Sequence, residues 1–479
     1  MSRRIVEIAG IGPGSAGGCS LDALDAIRAA DVVVGAKRML YAAMSLVSSD
    51  SGGVASTDVP GQEDTVDWCE KILVEQASPS KILAALDQMD FERACVICSG
   101  DTGFYSLATS IRGELAASGY EVRVIPGIST VQYLAAKLQR PWQHCVLRSA
   151  HGRSVNVLGE VLANEEVFFL TGGDIVPSTI VGELVDAGLG DVEVTVAENL
   201  SYPEERIVTA KAGELVEMEF SSLSSVWIRH GKLRGRELDS YPCLTCGIPD
   251  EAFERGKVPM TKQEVRAAIM GKLQLGSEDI VYDVGAGTGS VSIEIALASP
   301  MIRVFSVEVS PEACDLIESN RMRFGAYNMK VIRGSAPDAL TGLPAPDVVF
   351  IGGSRGNFGQ IVDAVLTKNP SARIVASAIA METIAEASKA LIERCQEGRL
   401  RDFEASQVSV ARTRQAGGYH LLTAQNPIVI FSATGAACSD DVVESAESAG
   451  TGEVSSSVSA GDLEGSAESG RKISSEQGR

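Results

Sequence analysis

The 479-residue chain is short of histidine, aromatic side chains, basic charge and long apolar runs. Its four histidines (His144, His151, His230, His420) give little support for a protein-bound catalytic metal. Aromatic residues make up 5% of the chain, which argues against a stacking platform for single-stranded nucleic acid. A net charge of −21 repels nucleic acid and anionic membranes, and admits an anionic small molecule only where basic residues are locally concentrated. No uninterrupted apolar stretch reaches the roughly 20 residues of a membrane span. Met1-Ser-Arg-Arg runs straight into Ile5-Val-Glu-Ile8, where Glu7 breaks the apolar run, so no secretory segment is expected. A cytoplasmic protein with its ten cysteines reduced is the expectation.

Two Cys-x-x-Cys pairs are present, Cys95/Cys98 and Cys243/Cys246. Zinc would need both pairs together, yet they are far apart in sequence. Cys95-Val-Ile-Cys98 also reads as a strand, on which positions three apart face opposite ways and cannot chelate. Cys243 and Cys246 sit in a Pro/Gly-containing linker, where no role is assigned.

What is present is a pattern of glycine turns following buried strands, with 48 glycines and 45% apolar residues. The length calls for two or three domains. The expected division is 1–235, a linker over 236–247, 248–435, and a Ser/Gly/Glu-rich acidic tail over 436–479 with too little apolar content to offset the entropy of ordering.

In the first half, Ile5-Val-Glu-Ile-Ala leads into Gly10-Ile-Gly12-Pro13-Gly14. Cys95-Val-Ile-Cys-Ser99 leads into Gly100-Asp101-Thr102-Gly103-Phe104-Tyr105, and Val122-Arg-Val-Ile125 into Pro126-Gly127-Ile-Ser129-Thr130. In a parallel α/β sheet such junctions share the carboxyl edge, where ligands bind. One such loop is no more than a tight turn; three in this order and spacing resemble the tetrapyrrole (corrin/porphyrin) methylase family across about residues 1–235. That resemblance implies a two-lobed α/β fold with S-adenosylmethionine between the lobes. It places Gly10, Gly12, Pro13, Gly100, Asp101, Phe104, Ser129 and Thr130 at the cofactor. Val194-Thr-Val-Ala-Glu198-Asn-Leu-Ser-Tyr-Pro-Glu-Glu205-Arg206 is similar to the branch that methylates carbon 5 of the ring. Glu198, Glu205 and Arg206 read equally well as a structural ion-pair network.

In the second half, Thr261 is a capping-box candidate, with Glu264 three residues on. Ile280-Val-Tyr-Asp283-Val-Gly285-Ala286-Gly287-Thr288-Gly289 precedes a helix, and the next strand ends on Glu308, an acid placed for ribose hydroxyls. A dinucleotide site would prefer Gly or Ala at Ser290 and a pyrophosphate on the helix N-terminus. Asp-x-Gly-x-Gly-x-Gly instead resembles the seven-stranded, Rossmann-like class I S-adenosylmethionine methyltransferases. Ile248-Pro-Asp-Glu-Ala-Phe253, Pro259-Met-Thr261-Lys262-Gln-Glu-Val-Arg266, Gly334-Ser-Ala336-Pro-Asp338 and Gly352-Gly353-Ser354 resemble, over about 248–432, the cobalamin-pathway methylases that act on carbon 15 and decarboxylate the ring-C acetate. The resemblance implies cofactor contacts from Thr261, Asp283, Gly285, Ala286, Gly287, Thr288, Gly289, Glu308 and Ala336, with Gly353 and Ser354 facing the macrocycle. Arg355 follows where a glycine is commoner.

The chemistry so implied needs alignment more than reactive side chains, and one S-adenosylmethionine per methyltransferase domain. No catalytic nucleophile or metal is expected. The substrate would be a small-molecule tetrapyrrole carrying many carboxylates, so arginines and lysines are the side chains to watch. Arg153, Lys262 and Arg266 are the foremost contacts, with Arg148, His151, Arg355, Arg412 and Arg414 behind them. A homo-oligomer without nucleic-acid or membrane partners is expected. The lean is toward a cobalt-bearing ring, on the Pro-Met-Thr-Lys string. Two other readings stay open: an NAD-dependent dehydrogenase using Gly285–Glu308, and a non-catalytic sensor or scaffold.

Overall fold

A computed structural model of the chain describes residues 4–49, 71–150, 155–231, 233 and 246–436. His151, Arg153, Cys243, most of the expected linker and nearly all of the acidic tail lie outside the described residues. Three β-sheets follow one another along the sequence.

The first holds β1 (Ile5–Gly10), β2 (Val32–Gly35), β3 (Ile72–Glu75), β4 (Arg93–Cys98) and β5 (Glu121–Ile125), all parallel, in the order β3-β2-β4-β1-β5. The central strands β1, β2 and β4 are nearly continuous buried runs because helices cover both faces. Val6, Ile8, Val96 and Cys98 pack on one side, and Ala9, Val33, Cys95 and Ile97 on the other. Cys95 and Cys98 thus face opposite layers, and burial pushes both thiols up. Ser129 caps the helix Thr130–Leu138 through a capping box with Gln132, which fixes the chain direction immediately after the β5 loop.

The second sheet is mixed: β6 (Val146–Ser149), β7 (Glu166–Leu170), β8 (Glu193–Glu198), β9 (Arg206–Lys211) and β10 (Ser224–Arg229), in the order β6-β7-β10-β8-β9. Only β6 and β7 run parallel.

The third has seven strands in the order β13-β12-β11-β14-β15-β19-β16. They are β11 (Ile280–Val284), β12 (Arg303–Glu308), β13 (Met329–Arg333), β14 (Val348–Ile351), β15 (Arg373–Ala378), β16 (Leu400–Val408) and β19 (Ile428–Gly435). The first five are parallel, and β19 returns antiparallel between β15 and β16. Alternation along β11 sends Val281 into one core layer and Tyr282 into the other. β17 (Ala411–Ala416) and β18 (Tyr419–Ala424) form a separate hairpin.

Because β1, β4, β5, β11, β12 and β14 are parallel to their neighbours, their glycine loops collect at carboxyl edges. Two such edges hold the candidate site residues.

Candidate active sites

The first edge is built almost wholly from backbone. Gly12 donates to the Gly100 carbonyl at 3.2 Å and Gly100 donates back at 2.7 Å, so the loops after β1 and β4 are stitched together. Asp101 locks the third loop: Oδ1 accepts from the Gly103 amide at 2.8 Å, and Oδ2 from the Gly127 amide at 3.1 Å. A β-carbon on Gly127 would stand 2.3 Å from the Gly100 oxygen and 2.5 Å from the Gly10 oxygen, so all three loops can meet only without side chains there. Phe104 anchors its loop against Phe168 of the second sheet, and Ser201 donates through Oγ to the Pro13 carbonyl at 2.6 Å. Both contacts tie the second sheet to the glycine loops. Ser129 is buried and commits its side chain to its own helix; Thr130 follows, half-buried.

Glu198 and Arg206 fall into one ion-paired cluster and Glu205 into another. Arg206 pairs with Glu198, while Glu205 accepts from the Ser201 amide at 2.7 Å, from Tyr133 at 3.1 Å and from Lys137 at 2.7 Å. Arg148 is engaged by Glu160 at 2.5 Å.

The second edge opens into a cavity of about 870 Å³. Its floor is the turn after β11. A β-carbon on Gly285, whose φ is +75°, would come within 2.7 Å of the Gly353 nitrogen. The β11 and β14 loops therefore close on each other backbone to backbone. Glu308 at the end of β12 is clamped by three amides: Gly287 at 3.0 Å, Val309 at 2.7 Å and Ser310 at 2.9 Å. Asp283 lies below, fully buried. Its Oδ2 accepts from the Ser292 hydroxyl at 2.5 Å, which in turn accepts from Ser306 at 2.7 Å. Among the described residues its Oδ1 has no hydrogen-bond partner. Burial pushes this carboxyl up to about 7.

The sequences of two families match the two halves. Residues 6–216 match the model of the tetrapyrrole (corrin/porphyrin) methylases, and residues 251–435 match that of the precorrin methyltransferase domain. A precorrin-6Y C(5,15)-methyltransferase [decarboxylating] from Sinorhizobium sp is 30% identical over 376 residues, 78% of this chain and 84% of that protein. The chain belongs to the precorrin-6Y C(5,15)-methyltransferase family. A probable cobalt-precorrin-6B C(15)-methyltransferase (decarboxylating) from Pyrobaculum calidifontis is 40% identical over 40% of this chain and 98% of its own length. A crystal structure of a precorrin-6Y C5,15-methyltransferase from Geobacter metallireducens GS-15 is similar at 37% identity, covering 39% of this chain and 95% of that one with a TM-score of 0.37.

As a member of this family the chain is an enzyme, an S-adenosylmethionine-dependent methyltransferase. That sets aside the dehydrogenase and scaffold readings. The second edge suits such a cofactor, because a buried carboxyl oxygen without a partner among the described residues lies beneath a backbone turn that a β-carbon on Gly285 or Gly287 would disrupt. The cavity brings together Thr261, Lys262, Asp283, Gly285, Ala286, Gly287, Glu308, Ala336, Gly353 and Ser354, all expected from sequence.

Five expected contacts, Thr288, Gly289, Arg266, Arg412 and Arg414, are not on that wall. Thr288 is 1% exposed and its hydroxyl is buried without a partner among the described residues, while Gly289 packs against Ile317. Both turn inward with the first turn of the helix Ser290–Ala298, so they shape the turn from behind. Arg266 is also corrected as a substrate contact: it is 0% exposed and paired with Asp250 and Glu294, both at 2.9 Å. The helix Gln263–Leu273 points it inward, where it ties the Ile248–Phe253 strap to the core. Arg412 is likewise held by Asp250 and Glu264. Sequence reasoning passed over Lys257, which lines the cavity two residues before the Pro259-Met-Thr string; its closeness to that string was the available signal.

Proposed function

We propose that the chain methylates one corrin-ring precursor twice. The N-terminal domain, about 1–235, would act at carbon 5, and the C-terminal domain, about 248–435, at carbon 15 with loss of the ring-C acetate carboxyl as CO2. The observation that carries this reading is the presence, in one chain, of two glycine cradles of different architecture, each at a parallel-sheet edge. One S-adenosylmethionine would bind per domain, supplying an electrophilic methyl group on a sulfonium. Gly10, Gly12, Pro13, Gly100, Asp101, Phe104, Ser129 and Thr130 would form the first cradle.

In the second, Glu308 is held rigid by its three amides and accepts hydroxyl donors, and Asp283 offers its unpartnered oxygen to a cationic group. Gly353 and Ser354 would set the ring against that cradle. Holding two reactants in line accounts for roughly 7–11 kcal/mol of barrier reduction, so no nucleophilic side chain is required. The conjugated ring itself accepts the electron pair left when CO2 departs.

The ring is proposed to carry cobalt, supported by the Pro259–Arg266 string and by the 40% identity to a protein named for cobalt-precorrin-6B. The metal-free ring is the second reading, favoured by the relative that spans both halves and is named for precorrin-6Y. Mass spectrometry of products from each ring tests the choice: two added methyls and loss of CO2 are expected from the cobalt ring, and the same products from the metal-free ring alone would move the assignment to the second reading. We also propose a homo-oligomer in the cytoplasm. The β17–β18 hairpin exposes Tyr419, Leu421 and Leu422, and light scattering would read the mass.

A further inference from the structure

Among the basic residues expected near the second site, two have their donors committed, and Arg414 does not line the cavity. Arg266 is buried in ion pairs and Arg412 is held by two carboxylates. Lys262 leans on Asp250 at 4.0 Å. Arg355 differs. It is exposed, lines the cavity, and makes no ion pair or hydrogen bond through its guanidinium among the described residues.

Its backbone is also unusual. Arg355 has φ +51° and Gly356 φ +82°, and the Asn357 amide donates to the Ser354 carbonyl at 3.0 Å. Two successive left-handed residues closed by that bond make a type I′ turn, whose first central position favours glycine or asparagine. A β-branch-free but long side chain is strained there, and strain of this kind persists at sites that clamp ligands. The turn follows Gly353 directly, and Gly353 abuts Gly285 of the cradle floor. An uncommitted planar fork is therefore presented at the wall of the cavity.

We infer that Arg355 is a positioning residue that holds a peripheral carboxylate of the ring substrate at the C-terminal site. This rests on the proposed ring substrate. A guanidinium on the carboxylate that leaves as CO2 would stabilise the ground state and slow its loss. Arg355 therefore holds one of the carboxylates that the product retains. The fork geometry suits two parallel hydrogen bonds to a carboxylate, which the neighbouring Lys257, a point charge, does not offer.

Arg355→Gly separates this role from a structural one, because glycine relieves the turn. With the full chain and the ring substrate, the variant is expected to raise the KM for the ring in carbon-15 methylation roughly tenfold. The KM for S-adenosylmethionine should not move, and the melting temperature should rise by about 2–4 °C. Arg355→Asn, which also tolerates the left-handed turn, should reproduce the KM change, and Arg355→Lys should recover part of it. Added salt should raise the wild-type ring KM more than that of Arg355→Gly. An unchanged ring KM in both Gly and Asn variants, with wild type active, overturns the inference alone. A wild type that converts no ring at all overturns the proposed function and the inference with it.

Discussion

The two cradles share close backbone contact between glycine loops, but they differ in what their acids do. At the first edge, Asp101 gives both oxygens to backbone amides, Gly103 and Gly127, and is a strut that keeps three loops in register. At the second, Asp283 sits beneath the turn with one oxygen unpartnered and its proton held up to about 7. The first site is shaped by backbone and completed by a second sheet, through Phe104 and Ser201. The second is made within one sheet and keeps an ionisable group in reserve. A backbone-made site should respond to added volume, and a charge-bearing one to pH as well.

The largest expected effects come from filling each cradle. Gly127→Ala places a β-carbon 2.3 Å from the Gly100 oxygen, and Gly285→Ala places one 2.7 Å from the Gly353 nitrogen. Misplacing reacting groups by about 1 Å can cost on the order of a hundredfold in rate. Gly127→Ala should leave a product with one added methyl and CO2 lost, and Gly285→Ala one with a single methyl and the carboxyl retained. Mass spectrometry of the products reads both; loss of both methylations in either variant would break the picture of two separable sites.

Next in size is the buried pair network. Arg266→Met leaves Asp250 and Glu294 without their shared cation, and breaking a buried ion pair from one side costs about 3–5 kcal/mol. Denaturant unfolding followed in the C-terminal domain should show that loss. A stable variant with only a raised ring KM would return Arg266 to the substrate.

Asp283→Asn sharpens the contrast in charge. The unfolded chain releases the Asp283 proton near the ordinary value of about 4, whereas burial holds it to about 7 in the folded protein. The folded state binds more protons across that window, so its stability falls as pH rises from about 4 to about 7 and the loss is complete above. The Asn variant should therefore match wild type near pH 4 and exceed it at pH 8, by on the order of a few kcal/mol. Its affinity for S-adenosylmethionine should drop, and wild-type affinity should strengthen as pH rises through 7. Superimposable stability profiles would show that burial does not hold the Asp283 proton.

The two sites were also unequally legible in the sequence. Asp283 to Glu308 is a short local segment in which strand, turn, helix and strand follow directly, so the cradle floor could be read almost residue by residue. The first site draws its loops from positions around 12, 100 and 127 and its far wall from 168 and 201, and residue types alone do not show that Ser201 reaches Pro13. The residues that fall off the cavity wall share one cause. Arg266 and Thr288 sit inside strings that carry site residues, and a string does not reveal which way a helix or a turn points its side chains. The helix Gln263–Leu273 turns Arg266 toward the core, and only burial distinguishes it from Lys262 four positions earlier. Arg355 is the reverse case, a residue whose left-handed backbone no composition or spacing would indicate.

Thr288 offers the smallest effect and a direct check on that cause. Its hydroxyl is buried with no partner, which costs stability relative to an apolar group of the same shape. Thr288→Val keeps the β-branched volume and removes the unsatisfied oxygen, so stability should hold or rise by up to about 1 kcal/mol. Because Thr288 lies behind the turn while Gly285, Ala286 and Gly287 line the cavity, the affinity for S-adenosylmethionine should not change. Calorimetric titration of the variant reads this directly. A tenfold weaker cofactor would mean that the hydroxyl reaches the ligand when the site is filled, and the backbone turn would then share its work with a side chain, as the first cradle does with Asp101.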